Sequence, residues 1–272
     1  MQITNGGKPN SADAQGRGRN EERMNDFSYR DCILRCIVGS NIHGLNIKGS
    51  DDVDEMGICI EPPEYVIGLK HFEQYVSRTK PKGVRSEYGD RDSVIYSLRK
   101  WAKLAIAGNP SILILLFAPD EFIIESNLLG ERLQGMNRHF IAKSIAGPYL
   151  GYMTAQKQRL LGKKGQKRCK RPEYESVYGY DTKYAMHMLR LGFQGKEILQ
   201  EGVITLPMKE PIKGVLRSVR EGKYTLNEVT QMAEELEYEL KTARDNSPLP
   251  EKPNIEEVNR FLVEAYRQFW PR

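Results

Sequence analysis

The sequence predicts a mixed α+β architecture, with strands confined to the first half and helices dominating the second. Three observations lead there. Up to about residue 135, short apolar runs bounded by Gly and Pro alternate with helical patterns. Beyond residue 136 the apolar spacing is helical throughout. The chain of 272 residues, 39% hydrophobic and 28% charged, is long enough for one large domain or two modest ones with ample core.

Residues 1–22, rich in Gly, Asn, Ser, Arg and Gln, have almost nothing to bury and are expected to form a disordered tail. A short helix at 22–29 leads into a first strand at 32–38. A second strand spans 54–60 and stops at Pro62-Pro63. Residues 64–69 read as a turn or short helix, 72–78 as a strand by their alternation, and 80–89 as a polar loop. A strand carrying Asp92, Val94 and Tyr96 changes to helical spacing at Leu98, Trp101, Leu104 and Ala105, and Gly108-Asn109-Pro110 ends that helix. Residues 112–117 form a buried apolar segment and 126–134 another helix.

The second half continues with helical spacing over 137–161 (Phe140, Ile141, Ile145, Tyr149, Tyr152), bent at Gly147-Pro148. A helix at 180–191 carries Asp181 in its first turn, where a negative side chain suits the helix dipole. Further helices are expected at 212–221, 226–243 and 255–269. Thr225 and Glu228 form a capping box for the second of these, and a Pro-rich linker at 247–253 precedes the third. The expected division is therefore a domain at 23–135 and a helical domain at 136–272.

The net charge of +5 is mild. No apolar stretch is long enough to cross a bilayer, and the polar start lacks a signal-peptide core, so no membrane partner is expected. Cys32, Cys36, Cys59 and Cys169 have no zinc spacing and read as reduced thiols of a cytoplasmic protein.

The chemistry concentrates between residues 38 and 60. Gly39-Ser40 closes the first apolar run, where backbone N–H groups and a hydroxyl can gather round a phosphate at a helix start. Asp52 and Asp54, two apart on a strand, present hard oxygen ligands on one face. That pair suits Mg²⁺ (or Mn²⁺), which takes its remaining ligands from water and substrate phosphates. A phosphate cradle followed by a paired metal site points to phosphoryl or nucleotidyl transfer. Gly-Ser-Asp-Asp is also ordinary turn composition, so the spacing alone has little specificity.

Gly39-Ser40, Gly44, Asp52-x-Asp54 and Gly57-Ile58 together resemble the DNA polymerase beta-like nucleotidyltransferase superfamily. The run G-Y-D-T-K-Y-A-M-H-M-L-R-L-G at 179–192 resembles its RlaP-type branch, associated with RNA repair. The resemblance covers most of the chain, from about residue 33 to about residue 266. It implies a small mixed-sheet nucleotidyltransferase domain followed by a helical domain, with the active site in the cleft between them. It also implies two-metal transfer of a nucleoside monophosphate from a nucleoside triphosphate to a hydroxyl acceptor. Asp92, whose D-x-x-x-Y run leads from strand into helix as in the family, would be the third carboxylate; Asp90 and Glu87 are neighbouring alternatives. Where the family usually has Ser before the first Asp, this chain has Asp51. The family's acidic residue soon after the N-P motif is absent from 112–116.

On a helix Lys183, His187 and Arg190 fall at i, i+4 and i+7, one polar face suited to nucleotide phosphates or a nucleic-acid backbone. Tyr152, Gln156 and Arg159 share a face of another helix and match a family run. Residues 157–172 are dense in Lys and Arg and free of acids, which suggests RNA binding through phosphates without base readout. The expected acceptor is an RNA end of tRNA-like type. The alternatives are nucleotidylation of a protein or small molecule, and a nucleotide- or RNA-binding module without turnover.

Overall fold

The computed structural model describes residues 27–47, 52–81, 89–163 and 172–270. The expected tail at 1–22, Asp51, Glu87, Cys169 and the central part of the basic run lie outside the described residues. The first strand, β1 (Cys32–Ile37), runs into a single helical turn, α1 (Gly39–Ile42), and the chain returns as β2 (Val53–Cys59). A short α2 (Pro63–Val66) leads to β3 (Gln74–Arg78), which pairs antiparallel with β4 (Arg91–Ser97). β4 in turn lies parallel to β2, and β2 is antiparallel to β1. With β5 (Ile123–Ser126) beside β1, the five-stranded sheet has the order β3-β4-β2-β1-β5 and is mixed, as expected.

The expected change of period at Leu98 is a real element boundary. Ser97 caps α3 (Leu98–Ile106) by accepting from Lys100 N at 3.1 Å, and the helix buries Leu98, Trp101, Ala102 and Ala105. Asn109 then caps α4 (Pro110–Leu113) through the N–H groups of Ser111 and Ile112, with Pro at the first helical position. The strand β5 was not expected from sequence. It is a four-residue edge strand, too short for alternation to register, and it leads into α5 (Leu128–Gly135). Gly130 lets α5 lie on β1, since a Cβ there would sit 2.1 Å from the Ile33 carbonyl oxygen.

In the second half, α6 (Asn137–Phe140) precedes α7 (Ala146–Leu160), so the expected bend at Gly147-Pro148 is instead a helix start. Two elements depart from expectation. A short α8 (Pro172–Tyr178) follows the basic run, and α9 (Thr182–Glu201) continues ten residues past 191. Gly192 and Gly195 do not break α9. A Cβ at Gly192 would meet Leu236 at 3.0 Å, and one at Gly195 would meet Leu240 at 2.6 Å and Tyr149 at 2.8 Å, so both glycines admit close neighbours. Packing overrides their poor helix propensity. The helix ends at Gly202 in the left-handed region (φ 71°).

Around α9 pack α7, α10 (Ile212–Arg220) and α11 (Leu226–Asp245). The Thr225/Glu228 capping box forms as expected. The last helix, α12 (Ile255–Phe269), returns to pack beside α3 and α6, where the Tyr266 hydroxyl accepts from Arg99 N at 3.2 Å. One hydrophobic core extends from Ile33 on β1 to Tyr266 on α12. Among its fully buried members, Trp101 and Phe140 meet edge to face with centroids 5.4 Å apart. Among the described residues no single helix is long and apolar enough to cross a membrane.

Candidate active site

The sheet register brings the three acids together. Asp54 on β2 stands directly opposite Asp92 on β4, and Asp52 precedes β2 by one residue, on the same face as Asp54. Asp52, Asp54 and Asp92 each offer a carboxylate oxygen within 4.8 Å of the others. Asp90 is turned to other work: it is buried and lies 3.8 Å from Lys80, while its carbonyl accepts from Val53 N at 2.9 Å. Glu55, the next residue after Asp54, pairs with Arg35 and Arg91.

The β1–α1 turn is built against this group. Val38 N donates to the Asp54 carbonyl at 2.8 Å, and Asn41 Nδ2 donates to the Asp52 carbonyl at 3.2 Å. Gly39 has φ 66°, and a Cβ on it would lie 2.2 Å from Asp54 Oδ2. Only glycine combines that backbone with that approach. Ser40 follows in the same turn, where its carbonyl accepts from Leu45 N at 2.9 Å.

Asp54, Asp92 and Gly39 line a cleft of 340 Å³ whose opposite wall is α9, through Arg190, Leu191 and Gln194. Val76, Pro110 and Ile114 add apolar lining. Of the expected basic face, Arg190 lines the cleft directly. Its Nε is buried without a hydrogen-bond partner, and no carboxylate pairs with it among the described residues. Desolvation pulls the guanidinium down to about 10, which leaves it charged at neutral pH.

His187, on the same helix face, adds no charge to it. Burial, then the charges of Arg190, Arg159 and Lys183, hold its imidazole down at about 3, so it is neutral. Its Nε2 is buried without a partner. The same electrostatics tie Lys183 and Arg159 to this wall, joining the two helical faces singled out in the sequence.

Sequence reasoning missed three residues of the cleft. Arg78, at the end of β3, stands opposite Asp92 and donates to its Oδ2 from Nε at 3.1 Å and Nη2 at 2.9 Å. His43 is buried 3.3 Å from the amide of Gln194, and burial, with Arg190 and His187 nearby, lowers its basicity well below the usual range. Gln194 continues the Lys183, His187, Arg190 series at i+11, a signal hidden by ending the helix at 191. Arg78 left no such signal, because its partner is set by strand register.

A family model described as the RNA repair pathway DNA polymerase beta family, RlaP, matches residues 19–264. The chain belongs to this family. An uncharacterised 38.9 kDa protein of Enterobacteria phage T4 is 28% identical over 140 residues, covering 50% of this chain and 40% of the phage protein. The chain thus spans well under two thirds of that relative's length.

Two solved structures resemble the chain at 12% identity. One is a nucleotidyltransferase-like protein from Exiguobacterium sibiricum 255-15, covering 93% of this chain and 79% of that one at a TM-score of 0.29. The other is a spectinomycin adenyltransferase from Enterococcus faecialis, solved with ATP and spectinomycin, covering 96% and 99% at a TM-score of 0.37.

Proposed function

We propose that this protein is a metal-dependent nucleotidyltransferase that moves a nucleoside monophosphate from a nucleoside triphosphate to a hydroxyl at an RNA end. The observation that carries this reading is the clustering of Asp52, Asp54 and Asp92, of which Asp54 and Asp92 line a cleft whose far wall is the cationic Arg190. Three carboxylates without a His or Cys among them fit a hard divalent cation, Mg²⁺ or Mn²⁺, and the Cβ-less approach of Gly39 leaves the Asp54 oxygen room to take part. Bound there, such a cation supplies charge neutralisation for phosphates and lowers the pKa of an attacking hydroxyl.

The chain's own residues do the rest by position and charge. Asp52 and Asp54 would be held by the β1–α1 turn, and Asp92 by its place across from Asp54. Asp92 would accept the hydrogen bond of the attacking hydroxyl. The new P–O bond forms at the α-phosphorus as the bond to the bridging oxygen breaks and pyrophosphate leaves. Gly39 and Ser40 would admit the triphosphate close to backbone. Arg190 and Lys183 would balance its charge, with His187 offering Nε2 as a neutral partner. Val76, Ile114 and Leu191 give the same cleft an apolar lining.

The RNA acceptor draws on the family's association and on the cations at 157–172. In the described part of that run, Lys157 is paired with Glu234 at 3.0 Å, whereas Arg159 adds its charge beside His187. The free thiols of Cys32, Cys36 and Cys59 suit the cytoplasmic setting that this reading assumes.

The test incubates the protein with Mg²⁺ or Mn²⁺, each labelled nucleoside triphosphate and total RNA, beside Asp52→Ala and Asp54→Ala. Label passing to RNA only with both acids intact is the expected result. Label on protein or a small molecule would replace the RNA acceptor. Nucleotide bound without transfer to any acceptor would favour a binding module.

A further inference from the structure

Arg78 is paired with one of the three acids of the candidate cation site. On the sheet face, β3, β4 and β2 set Arg78, Asp92 and Asp54 side by side, each directly across from the next. Nε and Nη2 of Arg78 both donate to one oxygen, Asp92 Oδ2. Asp52 and Asp54 add their attraction to the same guanidinium. Three carboxylates this close repel one another, and Arg78 offsets part of that repulsion. Arg78 and Asp92 both line the cleft, so a polyanion bound there lies within the reach of the guanidinium.

We infer that Arg78 couples divalent-cation binding to nucleotide binding, holding Asp92 while the acids lack a cation and turning to the nucleotide's phosphates once a cation takes its place. The inference rests on the reading of the three acids as a cation site. A cation entering among Asp52, Asp54 and Asp92 competes with Arg78 for the Asp92 carboxylate. The displaced guanidinium, a planar fork suited to phosphate oxygens, finds a new anion in the triphosphate. Each ligand then improves the other's affinity through one side chain, and by linkage the improvement is equal in both directions.

The test is a binding measurement without turnover. Mn²⁺ is titrated by electron paramagnetic resonance, with and without a non-hydrolysable nucleoside triphosphate analogue, in the native protein, Arg78→Gln, Arg78→Lys and Asp54→Asn. For Arg78→Gln, Mn²⁺ alone should bind about two- to fivefold tighter, as expected on losing a partly exposed competing ion pair. With Mn²⁺ saturating, the analogue should bind about tenfold more weakly, whereas the analogue alone should change little, so the mutual improvement should shrink. Arg78→Lys, which keeps the charge but loses the fork, should fall between the two and serves if the glutamine variant does not fold. Mn²⁺ binding that needs Asp54 but is no tighter in the Arg78 variants overturns this inference alone. Mn²⁺ binding indifferent to Asp54→Asn overturns the cation site and this inference together.

Discussion

Gly39→Ala would test the site at its tightest point. The backbone at Gly39 is left-handed (φ 66°), where an alanine costs about 1–2 kcal/mol. The added methyl would also sit 2.2 Å from Asp54 Oδ2. An ordinary carbon–oxygen contact is roughly 1 Å longer, so either the carboxylate or the β1–α1 turn must move by about that distance. A displacement of that size at a reacting centre costs about a hundredfold in rate. The expected outcome is a fall of at least about a hundredfold in kcat/KM and in Mn²⁺ affinity. The melting temperature should fall by only about 3–6 °C, because the strain is local. Gly135→Ala is the control: a Cβ there meets nothing within 4 Å, and the helical site should gain up to about 1 kcal/mol with activity unchanged. Steady-state kinetics, Mn²⁺ titration and thermal melts read all three quantities. A Gly39→Ala protein retaining a third of its activity and its Mn²⁺ affinity would refute the placement of Asp54 in the reacting centre.

The basic wall and the packing give three more expectations. His43 and His187 titrate below the usual imidazole range, so the neutral forms fit the fold. Their contribution is complete above pH about 6.5 and is lost as pH falls toward the folded value, about 3 for His187. Urea titrations should show about 1–2 kcal/mol lost through His187 between pH 6.5 and 5, and His187→Gln should flatten that slope; an unchanged slope would place His187 in solvent. Arg190→Met removes a desolvated charge, so the melting temperature should hold or rise while nucleotide affinity drops about tenfold or more; equal affinity would remove Arg190 from the binding wall. Gly130→Ala should cost about 3 kcal/mol in a denaturant titration, because its Cβ would press on the Ile33 carbonyl at 2.1 Å; a neutral result would mean α5 can lift from β1 without cost.

The sequence by itself determined what neighbours along one segment can do together. Asp52 and Asp54 share a face because strand side chains alternate, and the period changes at Leu98 because Ser97 can cap a helix that begins there. The Thr225/Glu228 box and the helix stop before Gly108-Asn109-Pro110 were legible for the same reason: caps and stops act within one turn, although the new helix that starts at Pro110 was not read. The tertiary structure decided what depends on pairing distant segments. Asp92, rather than Asp90, meets Asp54 because β4 lies parallel to β2 in one register, and Arg78 meets Asp92 because β3 closes on β4 in another. A one-residue slip would turn each of these side chains to the other face, and nothing local to residues 78 or 92 specifies the register. The length of α9 was likewise a matter of packing, since Gly192 and Gly195 weaken a lone helix but fit beneath Leu236, Leu240 and Tyr149. The charge of His187 was decided last. Its place in the sequence suggests a cation, and only its burial beside Arg190, Arg159 and Lys183 makes it neutral.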